Sequence, residues 1–139
     1  MKTVELEGSP GKPSIGVLIT TKNLEYIFPR EVMFETRNII GPSAGSMFAM
    51  EIYNQLSPVD ITHGKKIAGT GTISSEGEIG RIGGALQKIM TAENADADMF
   101  IVPKDNYDDI KHYDADIKVI TVENIEQIIS HLENHKEEL

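Results

Sequence analysis

No cysteine occurs in the 139 residues, which excludes a disulfide framework, a thiolate metal site and a thiol nucleophile together. Positive charge is scarce as well: 13 Lys and Arg stand against 22 Asp and Glu, a net charge of −9. Nucleic-acid binding rests on clustered cations that neutralise phosphates, so this balance argues against that partner class and for neutral or basic ones. No run of about eighteen apolar residues is present to span a bilayer, and residues 1–13 hold no apolar stretch to serve as a signal core. The chain as given is therefore expected to be soluble, with any anchor lying outside it. Internal repeats and low-complexity tracts are missing too. What is there is 40% apolar residues in a length suited to one domain, enough to bury roughly two thirds of the unfolded surface.

The stretch that organises the rest is Gly41-Pro42-Ser43-Ala44-Gly45-Ser46, a turn of small residues opening into the apolar-periodic run Met47, Phe48, Met50, Ile52, Tyr53, Leu56. That run predicts a buried helix over 43–56, stopping before Pro58. A serine at a helix start has two readings. It caps the first turn, as Ser is well suited to do, or it is a nucleophile beside backbone N–H groups able to hold an anion or a developing oxyanion.

In chain order, residues 1–13 read as a lead-in from a preceding module, broken at Gly8-Ser9-Pro10-Gly11-Lys12-Pro13. Strands are expected over 14–21 and 31–39, the second delivering the chain to Gly41. Residues 66–73 and 74–82 predict a hairpin around Gly77. Gly83-Gly84 then opens a helix over 85–95 that contains Lys88. A continuous apolar strand follows over 99–102, ended by Pro103, then a short helix over 106–110, a strand over 117–122 and an amphipathic helix over 123–137 built on Ile125, Ile128, Ile129 and Leu132. Strands alternating with helices indicate an α/β or α+β domain.

Nucleotide sites fail on spacing. His63-Gly64-Lys65-Lys66 ends like a phosphate loop, but Val59 and Lys66 stand where that loop needs Gly and Ser or Thr. Gly69-Thr70-Gly71 begins like a dinucleotide fingerprint whose last glycine would fall on Ser74. His131 and His135, at i, i+4, read as a solvated pair on the polar side of the last helix, and Asp105, Asp108, Asp109, Asp114 and Asp116 as an exposed acidic surface without the calcium-loop pattern. No metal site is expected. What remains is hydroxyl and amine chemistry. A lysine takes a serine proton only where burial lowers its pKa from about 10.4 toward neutrality. Lys88, between Gln87 and apolar Ile89, is either such a base or a surface lysine on an amphipathic helix.

Taken together, Gly41-Pro42-Ser43-Ala44-Gly45, then Lys66-Ile67-Ala68-Gly69-Thr70-Gly71-Thr72-Ile73, then Gly77-Glu78-Ile79-Gly80-Arg81-Ile82-Gly83-Gly84-Ala85-Leu86-Gln87-Lys88, and finally Ala97-Asp98-Met99-Phe100-Ile101-Val102-Pro103, resemble the proteolytic domain of the Lon protease family. The resemblance spans residues 32–107 in one order and is nearest to the bacterial PDZ-Lon type, supported by Glu51-Ile52-Tyr53-Asn54-Gln55-Leu56. It implies the Lon proteolytic fold over 14–139, a mixed sheet packed with helices and the serine at a strand-to-helix turn. It also implies a Ser–Lys dyad on Ser43 and Lys88, with Thr70 assisting the lysine by hydrogen bonding, and no cofactor. The turn residues Gly41, Pro42, Ala44 and Gly45 would surround the oxyanion.

The activity so implied is ATP-independent endopeptidase cleavage of peptides or unfolded proteins through an acyl-enzyme. Any processive unfolding would come from elsewhere. Homo-oligomerisation is conceivable, and a PDZ domain and membrane anchor would precede the domain in the full-length protein, placing it outside the cytoplasm. Three positions depart from the family pattern. Ile40 replaces the acidic residue usual in ATP-dependent members, Arg81 a common proline, and Leu86 a frequent polar residue. Arg81 is expected to bring charge near the site, while His63 takes no role from the resemblance. Two other classes remain open, a non-cleaving peptide-binding module presenting the 31–39 strand edge, and a small-molecule esterase using the same dyad.

Overall fold

Met99–Pro103 is apolar and buried at every position, the pattern of a strand covered on both faces. In the computed structural model, which describes residues Gly41–Asn134, this strand (β4) lies between two parallel neighbours, β1 (Ile67–Gly69) and β5 (Lys118–Val122). The register pairs Ile67 with Met99 on one side and Met99 with Lys118 on the other. Because successive strand residues face opposite ways, β4 supplies two cores. Met99 and Ile101 pack with Met50, Ile61, Ile120, Val122, Ile128 and Leu132. Phe100 and Val102 pack with Ile82, Ala85, Ile89, Ala92 and Ile110.

The helices follow from those faces. α1 (Gly45–Leu56) and α4 (Ile125–Asn134) contribute to the first core, α2 (Ala85–Asn94) and the single turn α3 (Tyr107–Ile110) to the second. Parallel strands need a crossover, and the chain from β1 to β4 provides it through α2. The Asn124 side chain accepts the Gln127 N–H at 3.0 Å and so caps α4. A mixed α/β architecture is therefore present, with the parallel sheet between helices. The lead-in over 1–13, the domain boundary after it, the strands over 14–21 and 31–39, Ile40 and His135 lie outside the described residues.

Three expectations need correction. The hairpin is much shorter than 66–82. Only β2 (Thr72–Ile73) and β3 (Ile79–Gly80) pair antiparallel, while 67–69 joins the parallel sheet, extended by a bond from Thr70 N–H to Ile101 O at 2.9 Å. The chain changes partners at Gly71. The helix expected from Ser43 begins as a 3-10 turn, Pro42–Ala44, and becomes α-helical at Gly45. Nor is α1 buried along its whole apolar set. Ser46 and Met50 are its buried residues, and Tyr53 and Leu56 are each 38% exposed, the Tyr53 hydroxyl reaching Glu133 Oε1 at 3.1 Å.

Candidate functional site

Pro42 has no N–H to lose and a φ already suited to a tight turn, so it opens the 3-10 segment without cost. Ser43 follows, half-buried, and its side chain caps neither this turn nor α1. The capping reading is thereby excluded. Its carbonyl is fixed from two directions, accepting Gly71 N–H at 2.7 Å and the Thr70 hydroxyl at 2.9 Å. Ser46 N–H donates to Gly71 O at 3.0 Å, so the helix start and residue 71 are latched by a reciprocal backbone pair. The Gly45 N–H closes the turn onto Pro42 O.

Lys88 arrives from α2. Its apolar neighbours in that helix, Ala85, Ile89 and Ala92, face the core, while its own half-buried side chain reaches across to β1 and the turn. There Lys88 Nζ lies 3.0 Å from Ser43 Oγ and 3.0 Å from Thr70 Oγ1. Thr70 is buried at 2% exposure. Since its proton goes to the Ser43 carbonyl, it meets Lys88 with lone pairs. The Ser43 hydroxyl, the Lys88 amine and the Thr70 hydroxyl are thus joined from three separated stretches of chain. None of the three lines the 410 Å³ cavity beside the hairpin, whose walls include Thr72, Ile73, Glu78 and Asp105.

Two contributors had no expected role. Gly71 sits so close to the helix start that a Cβ there would lie 2.7 Å from both Ser46 Oγ and Ile79 Cγ2. In sequence, Gly69-Thr70-Gly71 reads only as the start of an incomplete dinucleotide fingerprint and as part of the family pattern. Asn106 is wholly buried, receives Ile82 N–H on Oδ1 at 3.0 Å, and donates from Nδ2 to Ile82 O at 2.8 Å and to Asp109 Oδ2 at 2.7 Å. In sequence it is indistinguishable from an ordinary turn asparagine.

The Arg81 guanidinium donates to both oxygens of Asp109, at 2.7 and 2.8 Å, and to the Asp105 carbonyl, so its charge is paired locally. Those bonds, after the one from Asn106, hold the Asp109 carboxyl below the usual aspartate range. The acidic surface is otherwise as expected: Asp105, Asp108, Asp114 and Asp116 are exposed, Asp108 pairing with Lys111 at 2.8 Å. Among the described residues no three His, Asp or Glu side chains converge as a metal site would require, and no helix is long and apolar enough to cross a membrane. His63 is an exposed loop residue.

Fold and site define an α/β domain that sets a serine hydroxyl against a lysine amine across a strand end. Comparison with known proteins gives the family: residues 38–134 match the Lon protease (S16) C-terminal proteolytic domain. The chain belongs to that family. The Archaeal Lon protease of Archaeoglobus fulgidus is 32% identical over 95 residues, 66% of this chain and 15% of that protein. The Lon proteases of Trichlorobacter lovleyi and Campylobacter concisus are 33% and 35% identical over 64% of the chain and 11% of their own lengths. The aligned part thus corresponds to a small fraction of those relatives.

Proposed function

We propose that this domain is a serine endopeptidase in which Ser43 is the nucleophile and Lys88 the general base, acting without ATP through an acyl-enzyme. The observation that carries the reading is one amine within 3.0 Å of two hydroxyls, only one of which has a proton left to give. Thr70 accepts one N–H of neutral Lys88, which leaves the nitrogen lone pair for the Ser43 proton. As Oγ bonds to the scissile carbonyl carbon, that proton moves to Nζ. It then passes to the leaving amine as the C–N bond breaks. Water attacks the ester in the same way, giving its proton to Nζ, which returns it to Ser43 Oγ as the acid departs.

The tetrahedral oxygen needs backbone N–H donors, each worth about 3 kcal/mol in proteases that use them. In the 41–45 turn Pro42 has none and Gly45 uses its own on Pro42, so the Ser43 amide is the donor this reading assigns. A Cβ on Gly41 would meet nothing within 4 Å, so that side of the turn is open, whereas Gly45 packs closely against Ile73. Family membership supports protein substrates, and the chain's charge of −9 favours neutral or basic ones. Ile40 in place of an acidic residue supports the ATP-independent, PDZ-Lon-like subtype, with a PDZ domain and membrane anchor in the full-length protein and the domain outside the cytoplasm.

The test is mass spectrometry of products after incubating an unfolded protein and a peptide library with wild type, Ser43→Ala and Lys88→Ala. Cleavage by wild type alone is expected. Cleavage by Ser43→Ala near the wild-type rate overturns the assignment, and binding without cleavage by wild type returns the domain to the peptide-binding class.

A further inference from the structure

The lysine that must reach Ser43 is carried by a helix whose entrance has little stiffness of its own. Gly83 and Gly84 precede Ala85, Gly84 has φ +69, and no side chain caps the helix. Two successive glycines have a wide choice of backbone conformations, so the path into α2 is defined only where the chain is held on both sides of them. After them, Ala85 and Ile89 pack in the core. Before them stands Ile82, and both of its backbone groups are taken by the side-chain amide of Asn106.

That grip is specific to an amide. Asn offers one acceptor and one donor edge in the spacing of a peptide group, so it pairs with Ile82 as a neighbouring strand would. Its second N–H on Asp109 Oδ2 fixes which way the amide faces. Asn106 ends the 3-10 turn Lys104–Asn106, which follows directly on β4, and Thr70 hangs from the same strand through Ile101 O. One buried strand thus sets the position of Thr70 by a backbone bond and, through Asn106, the start of the helix that brings Lys88 to it.

We propose that Asn106 is a positioning residue for the Lys88 amine, acting through the backbone of Ile82 at the entrance to α2. The proposal rests on the Ser43–Lys88 reading above. Asn106→Asp keeps the shape but removes the donor to Ile82 O and sets two carboxylates side by side. Small misplacements of a reacting group cost up to about a hundred-fold in rate. In Asn106→Asp, kcat is expected to fall about ten- to hundred-fold with KM within about two-fold of wild type.

Asp109→Ala, at an exposed position, leaves the Ile82 pair in place but removes the brace on the second amide N–H, and should lower kcat about three-fold at constant KM. It serves where Asn106→Asp does not fold. Independently of turnover, the nuclear Overhauser contact between the Lys88 side chain and the Thr70 methyl should be present in wild type and lost or weakened in the variant. Wild-type kcat in folded Asn106→Asp, or in Asp109→Ala if the first variant does not fold, overturns the proposal, as does an unchanged Lys88–Thr70 contact. If wild type does not cleave, or Ser43→Ala does, the dyad reading fails instead, and the Lys88–Thr70 contact alone decides the role of Asn106.

Discussion

Thr70 has one proton and two lone pairs, and how they are divided decides what Lys88 can do. With the proton on the Ser43 carbonyl, the hydroxyl both braces the turn and accepts from the amine. Gly71 completes the brace with its N–H and C=O. A side chain there would collide with the Ser46 and Ile79 side chains, on a residue whose own N–H and C=O are both bonded to the helix start. Gly71→Ala is accordingly expected to destabilise the domain by about 1–3 kcal/mol, read as a fall in the denaturant midpoint, and to lower cleavage per folded molecule as well. An unaltered midpoint would mean the helix start is free to move away. At this scale the sequence was legible through motif order: Ser43, Thr70 and Lys88 stand at three distant positions that only a family pattern relates. Asn106 was not, because nothing local separates a buried amide clamp from a turn residue.

At the scale of elements, the segment entering α2 is tied to the segment leaving β4 by Arg81, Asn106 and Asp109. These bonds depress the folded-state pKa of Asp109 below its unfolded value. The stability they lend is therefore complete above the unfolded pKa, near 3.9, and is lost as pH falls through the folded one. In Asp109→Ala that portion of the acid dependence should be absent, so urea midpoints measured between about pH 6 and about pH 2 should fall less steeply than in wild type. Equal slopes would show that the carboxylate is not coupled to folding. The helices over 85–94 and 125–134 and the strand over 99–103 were readable from periodicity. The hairpin was misjudged because 66–73 carries one continuous β-type pattern, and only the backbone turn at Gly71 divides it between a parallel and an antiparallel partner. For α1, an apolar list overstated burial, since Tyr53 and Leu56 are half-covered at most.

Across the whole molecule, β4 is the common reference. Its alternate faces anchor both cores, its Ile101 carbonyl receives Thr70, and the turn after it holds Ile82. A short apolar strand ended by proline was plain in the sequence, but its central place in a parallel sheet was not, since periodicity reports burial and not order. The account's central claim is that the Lys88 amine takes the Ser43 proton, and the pH dependence of cleavage by wild type beside Lys88→Arg tests it most directly. A base that works as the free amine predicts wild-type cleavage rising from about pH 5 to about pH 9. The guanidinium stays protonated, so Lys88→Arg should be inactive throughout. A flat wild-type profile, or substantial cleavage by the arginine variant, would contradict it.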